Sequence, residues 1–430
     1  LVKINSSVTK LNSGALMKKI FLNWNGIGGT VFVFLIMWAL GQIAFNLSFL
    51  DVFGEVIDDY NTTDIAFSQF KVPNASSDTN IVVVNIGRLG RAEIAQQVNI
   101  LNHFEPAVIG VDVEFSEDKD AFEDSLLADA FAKTKNLILW SKVVNGQSDP
   151  EDEDKIIWDS LALTIPRFAN VAEHGYTNAL TEGESKFETW RETSSVEHLA
   201  GGRVEYSFAT KITMKFDSLA AQTFINRNED YPIEIINFRG NLDKFTKLDV
   251  SDVLDTNFVA ETIRGKIVLM GYLGDEYTGS TWDDDKYYSP LNEKPVGRVP
   301  PDMYGVVVHA NIISMILNKD YIDTIPNWLT WLLAVVFCYL NVVVFAWLTE
   351  HKFWGPWYGV VSKLIQVIEL ILLVYVMLYF FINQNIKLDL TLTFIVILLA
   401  GELIEIYQVM VQNLSKYITG KPKMLKGHEI

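Results

Sequence analysis

Four apolar stretches, residues 27–50, 327–348, 358–382 and 388–410, bracket one long acidic segment, and that pattern commits the chain to a lipid bilayer. A helix needs about 20 apolar residues to cross a hydrocarbon core of ~30 Å, and each stretch meets that length. Residues 51–325, between the first and second stretches, are not membrane-like. The expected architecture is one large water-facing domain, preceded by one transmembrane helix and followed by three.

Orientation follows from the positive charges. Lys3, Lys10, Lys18 and Lys19 precede the first span, and Lys416, Lys421, Lys423 and Lys426 follow the last. His351 and Lys352 lie between spans two and three, whereas Lys387 in the last loop is offset by Asp389. The positive-inside rule places residues 1–26 and the tail 411–430 in the cytoplasm and the large domain outside. The run Phe45-Asn46-Leu47-Ser48-Phe49 offers no small-x-small cleavage site, so the first span reads as a signal anchor.

The chain carries 53 acidic and 35 basic residues, net −18. Residues 51–323 hold 47 acidic and 24 basic, so the outer domain alone is net −23. Such a domain repels phosphate backbones, which excludes nucleic acid as a partner. The single cysteine, Cys338, lies inside the second span, so the outer domain folds without an intramolecular disulfide. A domain of roughly 270 residues buries enough apolar surface to do so. A bacterial inner membrane, with the domain in the periplasm, is the expected setting.

Within the outer domain, strand and helix signals alternate. Residues 81–86 form a β-branched run and residues 91–103 carry Ile94, Val98 and Leu101 on one helical face, ended by Pro106. A strand at 107–113, a helix at 121–133 with Phe122, Leu126, Leu127, Ala130 and Phe131 inward, and a strand at 136–140 follow. This order predicts βαβ units and an α/β fold: a mixed, largely parallel sheet flanked by helices. Residues 145–200, with the acidic run 149–154, read as an irregular excursion. A helix near 216–224, strands at 233–238 and 266–271, and a closing helix at 304–317 complete the domain.

Three segments carry a resemblance: 105–115 (EPAVIGVDVEF), 264–275 (RGKIVLMGYLGD) and 304–317 (YGVVVHANIISMIL). With the preceding anchor, Asp58, Asp59 and Asp64 in residues 56–67, and the three following spans, they resemble the type-2 CHASE domain family of extracellular sensors. The resemblance covers roughly residues 30–410. It implies a periplasmic sensor domain and, by analogy with family kinases, a homodimer. Family members usually carry aspartates after the first strand; here Asn85-Ile86-Gly87 stands there. Many members continue into an output domain, and none is evident in the 20 residues after the last span. The expected relay is therefore through another membrane protein.

Candidate ligand-binding residues follow from the strand ends. Asp112 and Glu114 leave the second strand on one face, near the carboxyl edge where α/β sheets bind ligands. Asp275 follows a glycine turn at another such end. His309 and Asn311 open the closing helix, where His309 is placed to orient Asp112. The run Asp283-Asp284-Asp285 lacks the ligand spacing and glycine of a calcium loop and reads as solvated. No P-loop, G-x-S-x-G or H-E-x-x-H motif occurs, so no enzyme is expected. No cofactor is expected, and the donors single out no metal.

The membrane part has its own polar signal. Glu369 lies in the third span, and Glu402 and Glu405 share one face of the fourth. Glu369 and Glu402 are expected at comparable depth, as a proton site or a contact for a partner helix. The expected function is a non-enzymatic membrane protein that binds a small-molecule or peptide ligand outside. It signals through its membrane spans 2–4 to a partner, as an accessory subunit of an envelope complex. A structural scaffold of an envelope machine and an ion-coupled unit using intramembrane carboxylates are the rival readings.

Overall fold

The computed structural model describes residues 24–41, 62–71, 76–149, 152–179, 189–230, 233–274, 285–292 and 300–419. The chain divides into two compact units, residues 49–322 and residues 1–48 with 323–430. Helix α1 (Trp24–Gly41) belongs to the second.

The first unit opens with α2 (Thr62–Ala66). It then alternates through β1 (Asp78–Asn85), α3 (Arg91–His103), β2 (Val108–Val111), α4 (Ala121–Ala132) and β3 (Leu137–Asp149). Next come β4 (Asp152–Leu163), α5 (Pro166–Ala169), β5 (Glu173–Tyr176), β6 (Glu192–Thr193), β7 (Val196–Leu199) and β8 (Arg203–Tyr206). The helices α6 (Phe208–Phe216) and α7 (Ser218–Asp230) precede β9 (Glu234–Ile235), β10 (Phe245–Leu248) and α8 (Val250–Leu254). Then follow β11 (Ile267–Gly271), β12 (Lys286–Tyr287), β13 (Met303–Tyr304) and α9 (Gly305–Asn318).

The main sheet runs β10-β1-β11-β2-β3-β4-β7-β8, with β5 also paired to β3. Every neighbour from β10 to β3 is parallel, and β5 joins β3 in parallel. Only β3–β4 and β7–β8 are antiparallel. β11 slots between β1 and β2, with Val268 level with both Val82 and Ile109. Side chains alternate across this layer with period two. Val82, Val84, Ile109, Val111, Val268 and Met270 bury into one core with Ile94, Val98, Leu101, Leu127 and Phe131 of α3 and α4. The opposite face lies under α6 and α9. There Gly175 lets α6 touch the sheet, since a Cβ on it would sit 2.6 Å from the Phe208 Cα.

Two expectations are corrected. Residues 145–200 are not irregular where described: they hold most of the long β3–β4 hairpin, then β5 and β7. Acidic and polar residues on the exposed faces of these strands hide the apolar alternation. In α4, Leu127, Ala130 and Phe131 point inward, but Phe122 is 71% exposed and Leu126 38%. Positions 127, 130 and 131 already fill the i, i+3, i+4 stripe, which turns 122 and 126 toward solvent. The helix expected near 216–224 is α7, which runs on to Asp230; α6 before it was not expected, and Asp217 separates the two. The Asp217 carboxylate accepts from the Leu219 and Ala220 amides, both at 3.0 Å, and starts α7.

The second unit comprises α1, α10 (Asn327–Glu350), α11 (Tyr358–Gln384) and α12 (Thr391–Thr419). A short parallel pair, β14 (Asp323–Thr324) with β15 (Ile386–Lys387), ties the start of α10 to the α11–α12 turn. The three C-terminal helices are long and apolar enough to cross a membrane. α1 packs Val33 into one core with Ala334, Val342, Val396 and Ile404. It spans 18 described residues. The rest of its expected span, 42–50, lies outside the described residues, as do the lysines of 1–23 and 420–430 and the pair Asp58 and Asp59.

Candidate functional site: a carboxylate cleft at the edge of the sheet

β2 ends at Val111, and the Asp112 amide still bonds the Met270 carbonyl of β11 at 2.9 Å. Its side chain therefore leaves the sheet at the carboxyl edge, between β11 and β3. Facing it are Asp285, Tyr287 and the amino end of α9. A Cβ on Gly305 would lie 3.2 Å from the Tyr287 ring, 3.4 Å from Asp285 Oδ1 and 3.7 Å from Asp112 Oδ2. The missing side chain at Gly305 thus leaves the point on which both carboxylates and the phenol ring converge.

A cleft of about 520 Å³ opens there, lined by Asp112, Glu114, Trp140, Tyr272, Asp285 and Tyr287, and also by Lys142 and Asn178. Its chemistry is unequal by depth. Glu114 is exposed, whereas the Asp112 side chain retains only 12% of its surface. Burial first, and the Asp285 charge second, push the Asp112 carboxyl up to about 8. Burial, with the charges of Asp285 and Asp112, pushes the Tyr287 phenol to about 12. Asp112 is therefore a buried carboxyl that gives up its proton readily only to a compensating positive charge.

His309 stands one turn into α9. Its Nε2 is 3.9 Å from Asp112 Oδ2, beyond hydrogen-bond range. Its ring packs edge-on to Trp190 and Phe208, with centroids at 5.4 and 5.2 Å. Burial holds it down to about 3, so it is a neutral wall behind Asp112 and supplies no charge. Asn311 is not brought to the cleft. Its Oδ1 accepts from the Arg239 amide at 2.8 Å, and its Nδ2 donates to the Gly240 and Val307 carbonyls, both at 2.9 Å. It clips the loop after β9 onto α9. Asp275 lies outside the described residues, as do Asp283 and Asp284.

Asn85 ends β1 and organises the same edge. Its Oδ1 accepts from the Gly87 and Leu273 amides, both at 2.9 Å. Its Nδ2 donates to Asp249 Oδ1 at 2.8 Å and to the Gly274 carbonyl at 3.0 Å. An aspartate could not make the last two bonds, because an ionised carboxylate only accepts. The asparagine therefore fastens the loops after β1 and β11 that frame the cleft.

Sequence reasoning missed Asp285 as a partner of Asp112, and it missed the aromatic wall of Trp140, Tyr272 and Tyr287. These residues are up to 175 positions from Asp112 and no local motif links them.

In the membrane unit the three glutamates separate. Glu402 pairs with Lys363 on the exposed surface, and Glu405 is also exposed. Lys363 marks the level of Glu402 on α11. Glu369 lies six residues, roughly 9 Å, further along that helix. The expectation of a common depth for Glu369 and Glu402 is thereby corrected. Glu369 instead faces Asn341 of α10.

A sequence model of the CHASE2 domain family matches residues 30–348. The chain belongs to the CHASE2 domain family, which is a family of extracellular sensory domains. With three membrane-capable helices, it is a membrane protein with a large extracytoplasmic domain of the sensor type. No curated protein and no solved structure matches the chain.

Proposed function

We propose that the chain is a non-enzymatic, membrane-anchored receptor whose carboxylate cleft binds a small ligand bearing a positive charge. One observation carries the reading: two carboxylates, Asp112 and Asp285, converge at the Gly305 position inside a cleft walled by aromatic rings. A cation there compensates the buried Asp112 carboxylate and lies beside the rings of Trp140, Tyr272 and Tyr287. A protonated amine satisfies both demands.

The relay is built on chain continuity. Gly305 starts α9, α9 ends at Asn318, and α10 starts at Asn327. A ligand that seats against the start of α9 acts on an element that leads directly into a membrane helix. We assign the receiving partner to another membrane protein that contacts α10–α12, in a bacterial inner membrane with the sheet unit in the periplasm. α1 is the fourth span in this reading. An accessory role in an envelope complex follows if that partner is stoichiometric.

Thermal unfolding of the full chain in mild detergent, with choline, putrescine and lysine as probes, tests the cleft. At least one aminated probe raises the midpoint, and Asp112→Asn removes the rise. No rise with any probe, or a rise unchanged in Asp112→Asn, overturns the reading.

A further inference from the structure

The cleft carries a charge that a purely cationic ligand does not use. Among the described residues its lining holds three acidic side chains, Asp112, Glu114 and Asp285, and one basic side chain, Lys142. Strand register places that lysine. Val111 pairs with Leu139, so Asp112, one residue further, stands beside Trp140. Val111 and Leu139 bury into the core under α3 and α4. Asp112, Trp140 and Lys142 therefore project from the other face of the sheet, since side chains alternate with period two. Lys142 follows Trp140 by two residues, roughly 7 Å along β3, and neighbouring strands are ~4.8 Å apart. The Cα atoms of Asp112 and Lys142 are thus roughly 8 Å from each other.

Asn178 sits next to that lysine. Its Oδ1 accepts from the Val143 amide at 2.9 Å, and its Nδ2 donates to the Val143 carbonyl at 3.0 Å. A primary amide has two N–H groups, so one remains for a ligand. Because the side chain is already fastened to β3, holding that donor in place costs little further entropy. Lys142 itself is exposed and forms no ion pair among the described residues. The cleft therefore has an acidic part, Asp112 and Asp285 against Gly305, and a donor part, Lys142 with Asn178. Glu114 is exposed, and water screens its charge. A ligand with positive charge alone is served by the first part and repelled by the second. A ligand that carries an ammonium group and a carboxylate is served by both. Charge-assisted bonds of ~2.8 Å on either side of a molecule whose charges are one carbon apart suit this spacing, and the flexible lysine stem takes up the difference.

We infer that the ligand of the cleft is an amino-acid zwitterion, with its ammonium group on Asp112 and its carboxylate on Lys142 and Asn178. This inference rests on the cation-binding reading of the cleft and narrows it to one class of small molecule.

The test is titration calorimetry on the full chain in mild detergent, with probes in matched pairs. Alanine is set against ethylamine, lysine against cadaverine and phenylalanine against phenethylamine, so that each pair differs only in the α-carboxylate. The expected result is that at least one amino acid binds about tenfold or more tighter than its amine, as one added charge-assisted contact allows. In Lys142→Met that ratio falls towards one, and in Lys142→Arg, which keeps the charge, most of it returns. Amines that bind as tightly as their amino acids in the unaltered protein overturn the inference, and this arm depends on no variant. A preference for the amino acid that survives in Lys142→Met overturns it equally. Either result, with amine binding still lost in Asp112→Asn, leaves the cation-binding reading standing. Binding by neither member of any pair sinks that reading and the inference with it.

Discussion

Removing the charge at Asp112 should stabilise the protein, by an amount that grows with pH. The ordinary aspartate value of 3.8 is raised to about 8 in the fold. At about 1.4 kcal/mol per unit this step is worth at most ~6 kcal/mol. The sign is unusual for an aspartate. Between the two values the unfolded chain has released its proton while the folded chain retains it, so stability falls as pH rises. The penalty is absent below about 4, accumulates up to about 8 and is constant beyond. From pH 5 to pH 8 the full shift would remove ~3–4 kcal/mol. The residual 12% exposure of the side chain, in a cleft open to water, lets the ionised form relax. An effect of ~2 kcal/mol is the working figure. Asp112→Asn has no proton to lose and escapes it. Its unfolding midpoint relative to the unaltered protein should rise by ~2–4 °C between pH 5 and pH 8. The assay is tryptophan fluorescence on heating, with the difference between the two proteins taken at each pH so that other titrating groups cancel. A difference that is constant with pH, or that shrinks as pH rises, refutes the reasoning.

Other predictions follow from the same contacts. If the ligand is a cation, it binds the ionised cleft, so probe affinity should rise up to about tenfold per pH unit between 6 and 8 and then level off, measured by calorimetry. Arg91 and Asp124 form an ion pair with 4% and 1% of their side chains exposed. Arg91→Met should cost ~3–5 kcal/mol by leaving Asp124 unpaired, and Asp124→Leu in the same chain should restore much of it, as read by denaturant unfolding. Gly175→Ala should cost ~1–3 kcal/mol, because the added carbon meets the Phe208 backbone and not a movable side-chain tip. Asn311→Ala should cost ~2–4 kcal/mol by orphaning the Arg239 amide and the Gly240 carbonyl, while probe affinity at the cleft stays unchanged.

Much of the parallel sheet was legible because its strands are buried on both faces and read as continuous apolar runs. The run at 81–86 is β1 with a shifted start, 266–271 is β11, and 304–317 is α9 displaced by one residue. Ile94, Val98 and Leu101 lie inward as their spacing requires. The hairpin β3–β4 was not legible, since a solvated strand needs no apolar repeat. β10 escaped notice because four residues, Phe245–Leu248, carry too short a pattern to separate a strand from a loop. At the cleft, the position of Asp112 was legible from period two and from the rule that ligands meet α/β sheets at their carboxyl edge. Its partners were not, because Trp140, Asp285 and Tyr287 reach it only through strand order, and β11 inserts between β1 and β2 out of sequence. In the membrane unit, glutamates draw the eye, yet Gln366 and Asn341 are the more deeply buried side chains.

The placement of the sheet unit outside the cell supports everything proposed for it, and cysteine labelling tests it most directly. In a Cys338→Ser background, single cysteines replace Val259, 65% exposed on the sheet unit, or Tyr417, 90% exposed near the end of α12. Bacterial spheroplasts that express each full chain are treated with a membrane-impermeant maleimide. The account expects Val259→Cys to react at once and Tyr417→Cys to react only after the membrane is permeabilised. The opposite pattern would contradict it.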